Sequence, residues 1–217
     1  MVDLDGTLIH TAPEIAWAAN AMLLDIGQRP LATEQIEAYI GEGANALIKR
    51  CLINDVSNNL SGEPKAELFE KAQKLFFEYY AQVVSKSKPY VGVVDALQML
   101  HTAGYRLACV TNKPQSFTLP VLEANDLMQY FELVVSGDTL SKKKPEPDQI
   151  FYICEKFGVS VNEAVLIGDS QTDIAAARNA GCYVFAVPYG YNQGYEILAS
   201  SVDALINHLS EVQGLIN

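Results

Sequence analysis

The sequence is short of positive charge: 15 Lys and Arg face 26 Asp and Glu, for a formal net charge of -11. Phosphate backbones and anionic lipids are bound by clustered cations that such a chain does not have in surplus. Nucleic acid and membrane surfaces are therefore not expected as partners, whereas a small anion in a locally positive site is compatible with the composition. No apolar run approaches the roughly 18 residues needed to cross a bilayer, and Asp3 and Asp5 stand where a secretory signal would carry basic residues. Cysteine is scarce, and Cys51, Cys109, Cys154 and Cys182 lack the close paired spacing of zinc or redox motifs. They read as buried thiols of a reducing compartment. A cytoplasmic protein, monomeric or weakly homodimeric, is expected. There is no internal repeat and no low-complexity tract.

What is present is an ordinary globular composition, 49% hydrophobic and 19% charged over 217 residues, enough for one large domain carrying an inserted module. From residue 105 onward, short apolar runs at 105–111, 131–136, 164–168 and 183–188 alternate with helix-length segments. Strands that are apolar throughout, with helices between them, predict an α/β fold: a Rossmann-like parallel sheet with helices on both faces. A helix over 93–101 feeds the first of these strands. The stretch 13–87 has helical periodicity and no convincing strand. Pro13 suits the first turn of a helix over 14–26, Thr33 starts another, and 43–52 and 64–84 supply two more, separated by a turn-prone segment at 54–62. The expected organisation is a core of residues 1–12 and 88–217, with an α-helical cap of residues 13–87 inserted after the first strand.

Four polar clusters fall at the C-terminal ends of predicted strands, where an open α/β sheet gathers its ligands. Asp3-Leu4-Asp5-Gly6-Thr7 sets two carboxylates two residues apart before a glycine turn. One could attack phosphorus and the other move protons, with a hard cation screening anion from anion. Thr111-Asn112-Lys113 offers donors suited to phosphoryl oxygens. Lys144 stands in a rigid Lys-Pro-x-Pro segment and can stabilise charge on a transferring group. Gly168-Asp169-Ser170-Gln171-Thr172-Asp173 brings two carboxylates to a helix start. Singly, each has a bland reading as turn, loop, solvated basic run or helix cap, and that reading is adopted for Lys142 and Lys143. As an ordered set at strand ends, chance explains them poorly.

In that order the four clusters resemble the motifs of the haloacid dehalogenase superfamily, across nearly the whole chain. The resemblance implies Asp3 as nucleophile and metal ligand, Asp5 as general acid/base and ligand through its main-chain carbonyl, and Asp169 as the remaining protein ligand of Mg²⁺. It implies that Thr111 and Asn112 hold the phosphoryl group, that Lys144 neutralises its charge, and that Asp173 orders the metal waters or Lys144. The helical insert is similar to a cap of this superfamily. Asp5 argues against carbon–halogen cleavage, which needs no protonated leaving group, and Thr7 leans away from sugar phosphomutases, which commonly carry Val there.

Within the superfamily the pattern looks most like the bacterial phosphoglycolate phosphatases, through Ile40-Gly41-Glu42-Gly43-Ala44, Tyr90-Val91-Gly92-Val93 and Pro188-Tyr189-Gly190-Tyr191-Asn192. Hydrolysis of a small phosphorylated metabolite, with 2-phosphoglycolate the best single choice, is the resulting expectation. A phosphomutase, or a binding or regulatory homologue of low activity, stays open beside it. Gly41, Glu42 and Gly43 are the cap residues expected to meet the substrate, since amides at the turn could receive its second anionic group. Lys49 and Arg50 are expected to face solvent, and Trp17 and the Tyr79-Tyr80 pair to pack on apolar cap faces. Two residues precede Asp3 where the superfamily has a full buried strand. Either residues lie upstream, or the fold compensates, or stability falls by several kcal/mol, on the order of what losing a strand's buried side chains costs.

Overall fold

The structure is a computed structural model and describes residues 1–53 and 63–216. The expected turn at 54–62 lies outside the described residues. In chain order the elements are β1 (Ile9–His10), α1 (Ala12–Asp25), α2 (Thr33–Glu37), α3 (Ala44–Ile53), α4 (Ala66–Ala81), β2 (Lys88–Pro89), α5 (Val93–Thr102), β3 (Ala108–Val110) and α6 (Gln115–Glu123). There follow β4 (Leu133–Val135), α7 (Asp148–Phe157), β5 (Val165–Gly168), α8 (Gln171–Ala180), β6 (Tyr183–Ala186), β7 (Ala204–Leu205) and α9 (Val212–Leu215).

Strands β3 and β4 pair in parallel, as do β5, β6 and β7. The chain start joins these two halves, because Val2 bridges Cys109 of β3 and Ile167 of β5, both in parallel. The sheet therefore runs β4, β3, Val2, β5, β6, β7. Main-chain hydrogen bonds run from this segment to both neighbours. The Val2 N–H donates to the Ala108 carbonyl (2.8 Å), the Val2 carbonyl accepts from Val110 (3.0 Å), and the Asp3 N–H donates to Ile167 (2.9 Å). Ile167 in turn donates to the Met1 carbonyl (2.9 Å). Val2 is thus paired on both sides, and its side chain is fully buried.

The expected core strands are β3 to β6, each trimmed to the residues that hydrogen-bond. β7 and the antiparallel pair of β1 with β2 were not legible in the sequence, since two residues carry no alternation to read. The β1–β2 register pairs Ile9 with Pro89 and His10 with Lys88. It clasps the two chain crossings between the sheet and the helices α1 to α4, which pack on one another. All four cysteines are free and buried, as expected. Among the described residues no helix is long and apolar enough to cross a membrane.

Helix α1 begins where the chain leaves the sheet, and its N-cap residue Thr11 supplies no side-chain cap. Tyr191, distant in sequence, takes over that task. Its phenolic oxygen accepts the N–H groups of Thr11 (2.8 Å) and Ala12 (2.9 Å), two of the donors that a helix start leaves without partners. Tyr191→Phe leaves both buried donors unpaired and is expected to lower the unfolding free energy by about 1–3 kcal/mol, measured by urea denaturation.

Candidate active site

The four clusters meet at the C-terminal edge of the sheet, where a cavity of about 50 Å³ is lined by Asp3, Asp5, Thr111, Asn112, Lys113 and Asp169 on the sheet side. The facing wall is mainly apolar and includes Ile40, Leu47, Phe76 and Phe117, with Tyr80 among them.

Asp3 is held by Lys144. The Nζ of Lys144 donates to Asp3 Oδ1 (2.6 Å), to Asp173 Oδ1 (2.6 Å) and to the Val110 carbonyl (2.9 Å), which occupies all three of its hydrogens. Asp3 Oδ2 accepts no hydrogen bond among the described residues and belongs to a cavity-lining side chain. Asp173 is fixed from its other oxygen, which accepts from the Ser170 hydroxyl (2.6 Å). Ser170 in return accepts the Asp173 N–H, a reciprocal cap that starts α8.

Asp169 accepts from the Thr7 hydroxyl (2.9 Å) and from the Tyr191 N–H (2.7 Å). Its space is made by two glycines. A Cβ on Gly190 would lie 2.2 Å from Asp169 Cβ, and one on Gly6 would lie 2.3 Å from Asp169 Oδ2. Gly6 also has φ +88°, which side chains rarely adopt.

The carboxylates Asp3, Asp169 and Asp173 are all buried, with oxygens within 4.8 Å of one another. Burial, followed by the charges of Asp173 and Asp169, pushes the Asp3 carboxyl up against the pull of Lys144. Burial and then Asp173 push Asp169 up to about 7. For Lys144, burial works against the charge, but Asp173 and Asp3 outweigh it and hold the ammonium above its ordinary value. One ammonium does not balance this many acids, and the Asp5 carbonyl accepts no hydrogen bond among the described residues. Hard oxygen donors with an excess of buried negative charge suit a hard divalent cation.

Asn112 has a different task from the one expected of its side chain. Its amide nitrogen donates to the Gly41 carbonyl (3.0 Å) and the Lys144 carbonyl (2.8 Å), while its main-chain N–H donates no hydrogen bond among the described residues and both Thr111 and Asn112 line the cavity. Of the three cap residues, Gly41 and Gly43 line the cavity and Glu42 does not. The Glu42 carboxylate turns away to pair with Arg50 and accept from Gln193 (2.8 Å).

Two further expectations are corrected here. Arg50 is buried, because Glu42 and the Tyr39 carbonyl (3.2 Å) give its charge partners on the inner face of α3. Lys143 is half-buried and tied down rather than free in solvent, because its Nζ donates to the Glu42 carbonyl (2.9 Å).

Sequence reasoning also missed Lys113 and Tyr80 as a pair. Lys113 is 5% exposed, and its Nζ donates to Asp5 Oδ1 (2.9 Å), more weakly to Asp5 Oδ2 (3.3 Å), and to the Tyr80 oxygen (2.6 Å). Burial opposes its charge, but Asp5 and Tyr80 overcome this and raise its pKa. Burial pushes the Tyr80 phenol up to about 12, so it keeps its proton at neutral pH. The adjacency of Lys113 to Thr111 and Asn112 was the available signal; nothing local marked Tyr80.

Folding favours the protonated form of Asp169, so between its ordinary value of 3.8 and about 7 the folded chain binds a proton that the unfolded chain has released. The stability this group contributes is complete below the lower value and is lost as pH rises through the upper one. In chelator-treated protein the unfolding free energy should fall across that interval. Asp169→Asn should flatten the profile, as read from denaturant titrations at a series of pH values.

A phosphoglycolate phosphatase of Nitrosospira multiformis is 46% identical over 217 residues, covering 100% of this chain and 94% of that protein. One of Thiobacillus denitrificans is 44% identical, covering 97% and 92%. The crystal structure of a predicted phosphoglycolate phosphatase from Haemophilus somnus superposes with a TM-score of 0.90 at 32% identity, covering 100% of this chain and 96% of that one. The sequence profile described as haloacid dehalogenase-like hydrolase matches residues 1–187, and the chain belongs to that family.

Proposed function

We propose that the protein is a Mg²⁺-dependent phosphomonoesterase that works through a phosphoryl group carried on Asp3, with 2-phosphoglycolate as its substrate. The observation that carries this reading is the state of Asp3. One oxygen is clamped by Lys144 at 2.6 Å, and the other has no partner among the described residues, on a side chain that lines the cavity beside Asp5. A carboxylate held in this way is a nucleophile with its orientation fixed in advance. The choice of substrate is supported by the relatives, which are named phosphoglycolate phosphatases, and by a cavity of about 50 Å³ that suits a short carbon skeleton.

Asp3 Oδ2 attacks phosphorus as the ester P–O bond breaks, and Asp5 gives a proton to the departing oxygen. Water then attacks the same phosphorus. Asp5 takes its proton, and the Asp3–phosphorus bond breaks to release phosphate. The Thr111 hydroxyl and the Asn112 main-chain N–H receive phosphoryl oxygens, and Lys144 lowers the negative charge around them. Asp173 acts through Lys144 by fixing its ammonium. Asp3, Asp169 and the Asp5 carbonyl are the groups that would hold Mg²⁺, which when bound supplies positive charge to offset that of the phosphate. Residues 13–87 serve as a cap, with Gly41 and Gly43 lying over the reacting groups.

Asp3→Asn should keep the fold, by circular dichroism, and lose phosphate release by on the order of 10³-fold or more; turnover retained in that variant would exclude the covalent route. Removing divalent cations with a chelator should abolish release of inorganic phosphate from 2-phosphoglycolate, and added Mg²⁺ should restore it. Accumulation of free phosphate with no bisphosphate primer separates this activity from a phosphomutase.

A further inference from the structure

The cavity holds three carboxylates, Asp3, Asp5 and Asp169, and among its described lining residues Lys113 is the one cation. Lys144 has no hydrogen to offer a second ligand, since its three donors go to Asp3, Asp173 and Val110. Lys113 differs in this respect. Two of its contacts are made to one partner, Asp5, and the second of these is long at 3.3 Å, so one donor can be redirected with little loss.

Its other partner matters as much. An ammonium donates and cannot accept, so in the 2.6 Å contact the Tyr80 oxygen is the acceptor and its own O–H hydrogen is left over. No acceptor for that hydrogen occurs among the described residues. Tyr80 is 2% exposed, and a buried O–H donor without an acceptor costs free energy unless a ligand supplies one. Lys113 N–H and Tyr80 O–H are thus two neighbouring donors in the lining of a small cavity, to which Asp3 and Thr111 also belong. Two adjacent donors match the two oxygens of a carboxylate.

We propose that Lys113 and Tyr80 form the recognition pair for a carboxylate on the substrate, so that the site selects phosphomonoesters bearing a carboxylate within two or three carbons of the phosphate. This rests on the phosphatase reading above but depends on different residues. A second phosphate is a poorer fit, because its larger charge would meet a single ammonium already shared with Asp5. The pair also spans two parts of the molecule: Tyr80 stands on α4 and Lys113 just beyond β3. A carboxylate held between them therefore joins the helical segment to the sheet.

The test compares 2-phosphoglycolate with ethyl phosphate, in which a methyl group replaces the carboxylate. The readout is the ratio of their kcat/KM values in the wild type, Lys113→Met, Lys113→Arg and Tyr80→Phe. Losing one charge-assisted hydrogen bond predicts that the ratio falls roughly 10- to 100-fold in Lys113→Met, mainly through KM for 2-phosphoglycolate. Lys113→Arg should recover part of it, and Tyr80→Phe should lose about threefold to tenfold.

Circular dichroism identifies a variant that merely misfolds, and the ratio is read from variants that keep the wild-type spectrum. A ratio that stays at the wild-type value in both Lys113→Met and Tyr80→Phe overturns the proposal, as does a wild type that does not prefer 2-phosphoglycolate while still releasing phosphate. If the wild type hydrolyses neither compound, the phosphatase reading falls, and calorimetric binding of the same two compounds to wild type and Lys113→Met decides the recognition pair directly. Tighter binding of 2-phosphoglycolate that depends on Lys113 supports it, and equal binding overturns it.

Discussion

Like charge held out of water governs this structure. Asp3, Asp169 and Asp173 are buried with their oxygens within 4.8 Å of one another, an arrangement that would expel protons from solution onto the carboxylates were nothing opposed to it. Lys144 supplies the opposition from within the chain, with its Nζ 2.6 Å from both Asp3 and Asp173. The remaining excess of negative charge, borne by hard oxygen donors, is what suits the centre to a hard divalent cation. Much of the surrounding backbone serves to keep these groups in place. Gly6 and Gly190 leave room for the Asp169 carboxyl, and the Thr7 hydroxyl and Tyr191 N–H hold its two oxygens. The pairing of Val2 to both neighbouring strands anchors Asp3 at its position in the sheet.

A second set of contacts closes the centre from above. The turn at Gly41 to Gly43 is fastened to the sheet side by Asn112 donating to the Gly41 carbonyl, Lys143 donating to the Glu42 carbonyl and Gln193 donating to the Glu42 carboxylate. Tyr80 adds a contact from α4 to Lys113. Two of these bonds run to main-chain carbonyls and three involve an ammonium or a carboxylate; at about 0.5–3 kcal/mol net each, the closure is held by several modest interactions and not by one strong one. Asn112 sits on both sides of this division: its side-chain amide fastens the turn, and the residue itself lines the cavity.

The parts of the site that were legible in the sequence are those in which chemistry and geometry are encoded within a few residues. Asp3, Asp5 and Gly6 form a strand end, a turn and two acids in one segment, and Gly168 to Asp173 is a strand end and a helix cap. The strands β3 to β6 were legible because a buried parallel strand is apolar along its whole length. Arg50 and Lys143 were misjudged for one reason. A charged side chain on a helix or in a basic run is ordinarily solvated, and the Glu42 turn that gives both of them partners is brought to them only when the helices dock. Tyr80 looked like half of an aromatic pair on a helix face, and its contact with Lys113 spans 33 residues of chain.

By itself the sequence determined the α/β alternation, the helical insert and the four clusters, because hydrophobic period, turn-forming glycine and the order of functional groups are local properties that survive without a folded context. Only the tertiary structure decided which charges face one another. Lys144 meets Asp3 across 141 residues and Lys113 meets Asp5 across 108, and the strength of such pairs depends on burial and on distances of tenths of an ångström that the packing of sheet against helices sets.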